Sequence, residues 1–206
     1  MLFEKLFSGL FAVVWGALSL VLGAFVSSEL SKPRMDSLFL AAKKNNVAEV
    51  RRLIYAAKDN DAAEIRMLID AGADINAKDN YGNTALMCSA ENNSVGAAKL
   101  LVDAGADIDA KDNYGNTALM CSAENNSVGV AKLLVDADAD IDAKDSYGCT
   151  PLMHAVWNNA VGIINLLIEA GADVNAKSKT GWTALMIASH ENAKDVERLL
   201  KAAGAR

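Results

Sequence analysis

The stretch DNYGNTALMCSAENNSVGAAKLLVDAGADIDAK occupies residues 79–111, and DNYGNTALMCSAENNSVGVAKLLVDADADIDAK follows at once over 112–144. The two differ at two of 33 positions, Ala97 against Val130 and Gly105 against Asp138. Self-similarity at such a fixed spacing marks an array of equal supersecondary units, each unable to bury its apolar face alone. The frame continues on both sides. Residues 145–177 (DSYGCTPLMHAVWNNAVGIINLLIEAGADVNAK) diverge but keep it, and 178–206 (SKTGWTALMIASHENAKDVERLLKAAGAR) carry it just past a second helical pattern. Upstream, 51–78 (RRLIYAAKDNDAAEIRMLIDAGADINAK) fit it with a degenerate first half.

Each unit reads as turn, helix, helix, hairpin. Thr84 is placed to cap a helix whose apolar residues Leu86, Met87 and Ala90 follow at helical spacing. Glu91-Asn92-Asn93-Ser94 breaks that helix. A second pattern carries Val95, Ala98, Leu101 and Val102 up to Gly105, where a helix C-cap requires positive φ. The run DIDAKDNYG then supplies a tight connection to the next unit. Residues 41–54 echo 56–69 at an offset of 15, so segment 47–57 is expected to act both as second helix of a degenerate cap and as first helix of the next unit. Polar residues at both ends, such as Lys43, Lys44, Lys194, Asp195 and Glu197, suit capping units that keep one face wet.

The period, the G-x-T-[AP]-L core (Gly82, Thr84, Leu86; Gly148, Thr150, Pro151, Leu152) and the GAD-[IV]-[ND] ending (72–76, 105–109, 171–175) resemble the ankyrin repeat family over residues 46–206. The resemblance implies an all-α, ankyrin-type α-solenoid of about four to five helix-turn-helix-hairpin repeats. On that frame the domain spans 37–206, with a cap and degenerate repeat at 37–78, repeats at 79–111, 112–144 and 145–177, and a C-terminal repeat at 178–206. Two departures stand out. Met87, Met120, Met153 and Met186 occupy the place where the family usually has His, so its inter-repeat polar network is not expected here. Asp138 stands where Gly72, Gly105 and Gly171 do, and Asp tolerates the left-handed conformation less well than Gly. A local cost of up to about 1 kcal/mol is expected, making 112–144 the softest joint.

The first residues are a different material. From Leu6 to Val26 the chain runs LFSGLFAVVWGALSLVLGAFV without a charge. As a helix that run reaches about 31 Å, close to the roughly 30 Å of a hydrocarbon core. The expected organisation is therefore a transmembrane helix over 1–27 and a linker over 28–36. Gly9, Ala12, Gly16, Ser19 and Gly23 fall on one stripe of such a helix, and small stripes let membrane helices approach closely, which would make the anchor a homo-oligomerising element. A signal peptide is the competing reading, but it wants a basic start, a shorter apolar run and a small-x-small exit; here one Lys stands beside one Glu, the run is long and AFVSSEL has no convincing cleavage site. Lys32, Arg34, Lys43 and Lys44 after the run, against Lys5 before it, favour a single-pass protein with its solenoid on the cytoplasmic side. Met35, just before DSLFLAAKKNN, is read as a linker residue, with an internal start giving a shorter soluble form as the alternative.

Charge and composition narrow the function. Twenty basic against 26 acidic residues leave −6 at pH 7, which disfavours a nucleic acid partner. Three Cys and two His are too few and too scattered for a disulfide framework or a zinc site. Asp136, Asp138, Asp140 and Asp142 mimic the start of a calcium loop, but Ile141 and Tyr147 stand where its Gly and Glu belong. Cys88 and Cys121 read as small core residues one unit apart. His154 and His190 lack nucleophile or carboxylate partners at motif spacing, so no catalytic residue, metal or cofactor is expected.

What remains is binding. The resemblance implies that a protein partner is held by hairpin tips and the exposed side of the first helices. Carried onto this chain, those positions are Asn80, Tyr81 and Asn83; Asn113, Tyr114 and Asn116; Ser146 and Tyr147; and Lys179 and Trp182. Trp157 on a first helix is expected at the boundary of buried and exposed. Tyr81, Tyr114 and Tyr147 recur at 33-residue spacing, and aromatics of this kind dominate interface hot spots. The expected function is a membrane-anchored protein-binding module. The alternative is an exported inhibitor or effector, against which three free thiols argue mildly.

Overall fold

The structure, a computed structural model, describes residues 47–206. Among these residues are ten helices and no strand: α1 (Val47–Lys58), α2 (Ala62–Asp70), α3 (Ala85–Glu91), α4 (Val95–Asp103), α5 (Ala118–Glu124), α6 (Val128–Asp136), α7 (Pro151–Trp157), α8 (Val161–Glu169), α9 (Ala184–His190) and α10 (Lys194–Ala202). Consecutive helices pack in pairs across three-residue breaks, which forces them antiparallel. The first helices α1, α3, α5, α7 and α9 stack in one row, and α2, α4, α6 and α8 stack in a second. No helix among the described residues is long and apolar enough to cross a membrane. The expected anchor, with Gly9, Ala12, Gly16, Ser19 and Gly23, the linker 28–36 and the start of the cap all lie outside the described residues.

Every first helix after α1 begins alike because its cap is alike. Thr84, Thr117, Thr150 and Thr183 accept the backbone N–H of Met87, Met120, Met153 and Met186 through Oγ1 at 3.3–3.5 Å. Pro151 at the first position of α7 costs nothing, since that N–H has no helical partner. These helices are seven residues long and end where Asn93, Asn126, Asn159 and Asn192 take φ of 51–56°. Asn tolerates that region because its short amide bonds locally. In the degenerate unit the helix expected over 47–57 is present as α1. At 12 residues it is longer than the seven-residue first helices of the later units. It takes the first-helix role, packing on α3 and pairing with α2.

The core runs the length of the array between the two rows. Leu86, Leu101, Leu119, Leu134, Leu152, Ile163, Ile164 and Leu167 are fully buried, with alanines such as Ala90, Ala98 and Ala131 letting the rows approach. Met87, Met120 and Met153 are buried as well, so the position filled by His in the resembling family is apolar packing here. Within its own unit, Met87 sulfur also accepts the Thr84 N–H at 3.5 Å. Met186 is 51% exposed, since no further unit covers it among the described residues.

The hairpins stack by a repeated set of bonds. The N–H of Asn113, Ser146 and Lys179 donates to the carbonyl of Tyr81, Tyr114 and Tyr147 in the preceding unit. Lys78, Lys111 and Lys144 each send Nζ to the carbonyl one period on, at Lys111, Lys144 and Lys177. Asn76, Asp109, Asp142 and Asn175 accept the N–H of Asp107, Asp140, Asp173 and Arg206. Of the four acids that mimic a calcium loop, Asp140 accepts the Asp142 N–H and Asp142 the Asp173 N–H, and no metal-holding cluster of His, Cys, Asp and Glu occurs among the described residues. Gly82, at φ +84°, explains the closeness of the stack, because a Cβ there would stand 2.7 Å from the Asn113 amide nitrogen.

Candidate functional site

Each tip is built on one carboxylate. Asp79 Oδ1 accepts the N–H of Tyr81 and of Asn83, both at 2.8 Å, which folds the turn and drives the tyrosine outward. Asp112 does the same for Tyr114 and Asn116, and Asp145 for Tyr147 and Cys149. In the last unit the Ser178 hydroxyl takes over, accepting the Trp182 N–H at 3.1 Å. The aromatic residues so presented are exposed: Tyr81 66%, Tyr114 56%, Tyr147 67%, Trp157 51% and Trp182 38%. Trp157 closes α7 at the position of Glu124 in α5, and stands in solvent beyond the boundary where the sequence put it.

The expected site residues divide into two groups. Asn83 and Asn116 direct their amides to Asp79 and Asp112, and Asn113 donates to the Asn80 carbonyl, so these side chains hold the tips together. Asn80 and Ser146 are exposed on the same tips. Tyr147, Trp157, Lys179 and Trp182, in contrast, converge. They line an open cleft of about 450 Å³ between the last two units, with Cys149, Ile187 and His154 beneath them. Lys179 is fixed by a 2.7 Å bond from Nζ to the Ser146 carbonyl. Trp182 meets the ring of His190 edge to face at 5.5 Å.

His154 finds carboxylate partners that no motif spacing in the sequence shows. Its Nδ1 lies 3.0 Å from Glu124 Oε1 in the preceding unit, and its Nε2 lies 3.2 Å from Asp145 Oδ2. Burial of the ring works against its charge, but hydrogen bonds and charges from Glu124 and Asp145 outweigh it and raise the pKa above the ordinary value. Burial, and then Asp145, push the Cys149 thiol up as well. A histidine with both nitrogens engaged by carboxylates, beside a thiol held protonated, is not an activated nucleophile pair. Burial also pushes the Cys88 thiol to about 12.

The same face changes character along the array. In the two near-identical units it carries Asp79, Glu91, Asp112 and Glu124. Burial raises the pKa of Glu91, and Asp79, Glu124 and Asp112 add to the rise while Lys58 opposes it. One unit later His154 and Trp157 replace Cys121 and Glu124, and Cys149 replaces Asn116. That substitution pattern was the available signal for the cleft. It shows only when the units are overlaid and their neighbours placed.

A family model described as ankyrin repeats (3 copies) matches residues 12–112, 53–145, 108–178 and 146–206. No curated protein matches the chain significantly.

Proposed function

The chain belongs to the ankyrin repeat family, and from that premise we propose that it holds a protein partner at a membrane, through its hairpin tips and the exposed side of its first helices. Proteins built of these repeats are generally interaction modules rather than enzymes. The observation that carries the reading is the convergence of Tyr147, Trp157, Lys179 and Trp182, from two tips and a first helix, on one cleft. Large exposed aromatics around a concavity are the residue types that anchor partners. Anchoring is supported by the charge-free run Leu6–Val26 and the excess of Lys and Arg after it. Self-association through Gly9, Ala12, Gly16, Ser19 and Gly23 would multiply the displayed solenoids.

The test is fractionation of the C-terminally tagged full chain, with carbonate washing and protease applied to intact and inside-out vesicles. A full-length protein kept in the pellet, with its solenoid protected in intact cells, is the expected result. A soluble chain shorter by about 25 residues would instead identify the run as a signal. Photo-cross-linking from Tyr81 and Tyr114 in the same cells then tests partner binding. Absence of any specific adduct from either position would count against the module itself.

A further inference from the structure

Resting on that reading, we propose that the partner segment is an extended, basic peptide whose large apolar side chain enters the cleft at Trp157 and Trp182, while its cations lie against Glu124 and Glu91. Two observations select this occupant. The cleft floor and walls are apolar and aromatic (Trp157, Trp182, Ile187, Tyr147), which suits one bulky apolar group. The face leading into it is acidic over two successive units, carrying Asp79, Glu91, Asp112 and Glu124. Those four carboxylates outnumber the cations beside them, Lys58 near Glu91 and His154 at Glu124, so charge complementarity makes the partner basic.

Geometry fixes the spacing. Stacked helices stand about 8–10 Å apart. A polyproline II chain returns the same side every three residues, over about 9 Å. One repeat of the array therefore corresponds to one turn of such a peptide. The resulting pattern is an apolar anchor with Lys or Arg about three and about six residues away on one side of it. Lys179, which also borders the cleft, is held to the Ser146 carbonyl and marks the end where no basic residue of the peptide should lie.

The experiment uses the full chain in detergent and a fluorescein-labelled peptide with a Trp anchor and Lys at the two spaced positions, measured by anisotropy. The peptide is run in both directions, with its Lys-to-Glu counterpart and a scrambled control. Binding should weaken about tenfold or more for Trp157→Ala and for the Lys-to-Glu peptide. Glu91→Gln with Glu124→Gln should weaken it several-fold and flatten its salt dependence. Circular dichroism melts identify any variant that has lost its fold; for those, the Lys-to-Glu and scrambled peptides on the unaltered chain decide. Equal binding of the charge-reversed peptide, or affinity indifferent to Trp157 in a folded variant, overturns the proposal. If Tyr81 and Tyr114 still cross-link a partner in that case, the protein-binding reading stands and only this occupant is wrong. If neither peptide nor adduct is found, both fall.

Discussion

Asp138 holds φ of 61° at a helix end where Gly72, Gly105 and Gly171 hold 79–93°. A side chain at positive φ is strained unless it is Gly, and Asp suffers less than most. Asp138→Gly should therefore stabilise the chain by about 0.5–1 kcal/mol in urea denaturation, and Gly105→Asp should cost a similar amount. An unchanged midpoint for both would show that the φ difference carries no strain. His154 makes a pH-dependent contribution whose sign follows from its raised pKa. A histidine with a folded pKa above the unfolded 6.5 adds stability that is fully present below the unfolded value and is lost as pH rises through the folded one. Against His154→Cys, which restores the residue of the two preceding units, the native chain should gain most near about pH 6 and least near about pH 9. A stability difference independent of pH would remove the clamp by Glu124 and Asp145 from the account.

The first helices from α3 onward are too short to persist alone, so caps and neighbours decide them. Thr117→Ala should cost about 1 kcal/mol, since its Oγ1 caps α5. The serines before α4 and α6 offer a sharper comparison. Ser94 Oγ donates to the Lys58 carbonyl at 2.9 Å, whereas Ser127 Oγ is buried without a partner among the described residues. Ser127→Ala should accordingly be neutral or stabilising by up to about 1 kcal/mol, and Ser94→Ala destabilising by about as much. Later units already carry Ala160 and Ala193 at this position. Equal melting shifts for the two serines would refute the distinction. Thr caps, the polar break and the glycine ends were legible because each is a local rule on a few consecutive residues. The helix over 47–57 was legible from its echo at an offset of 15, and α1 occupies it.

Across the whole array, stability should be a sum over units and their joints. Removing residues 79–111 joins Lys78 to Asp112 and leaves Lys144 to offer its carbonyl to Lys78, as Lys111 did before. The shortened chain should keep its helical circular dichroism per residue and unfold at a lower urea midpoint; a chain that fails to fold would show that the joints are not interchangeable. At this scale the period and the family resemblance were readable, because repetition is a property of the sequence itself. The cleft was only half readable. Tyr147, Trp157, Lys179 and Trp182 were each picked out as partner-binding positions, but their meeting, and the pinning of His154 by residues 30 and nine positions upstream, follow from stacking rather than from any motif. The bonds between hairpins have a further consequence for how such a chain can lengthen. Donor and acceptor of the clasps from Lys78, Lys111 and Lys144 belong to the copied period, so an in-frame genetic duplication arrives with its fastening already made at both seams. The array can grow by accident and be sound from its first generation, leaving later substitutions such as Cys to His or Glu to Trp free to turn a spare copy into a binding cleft.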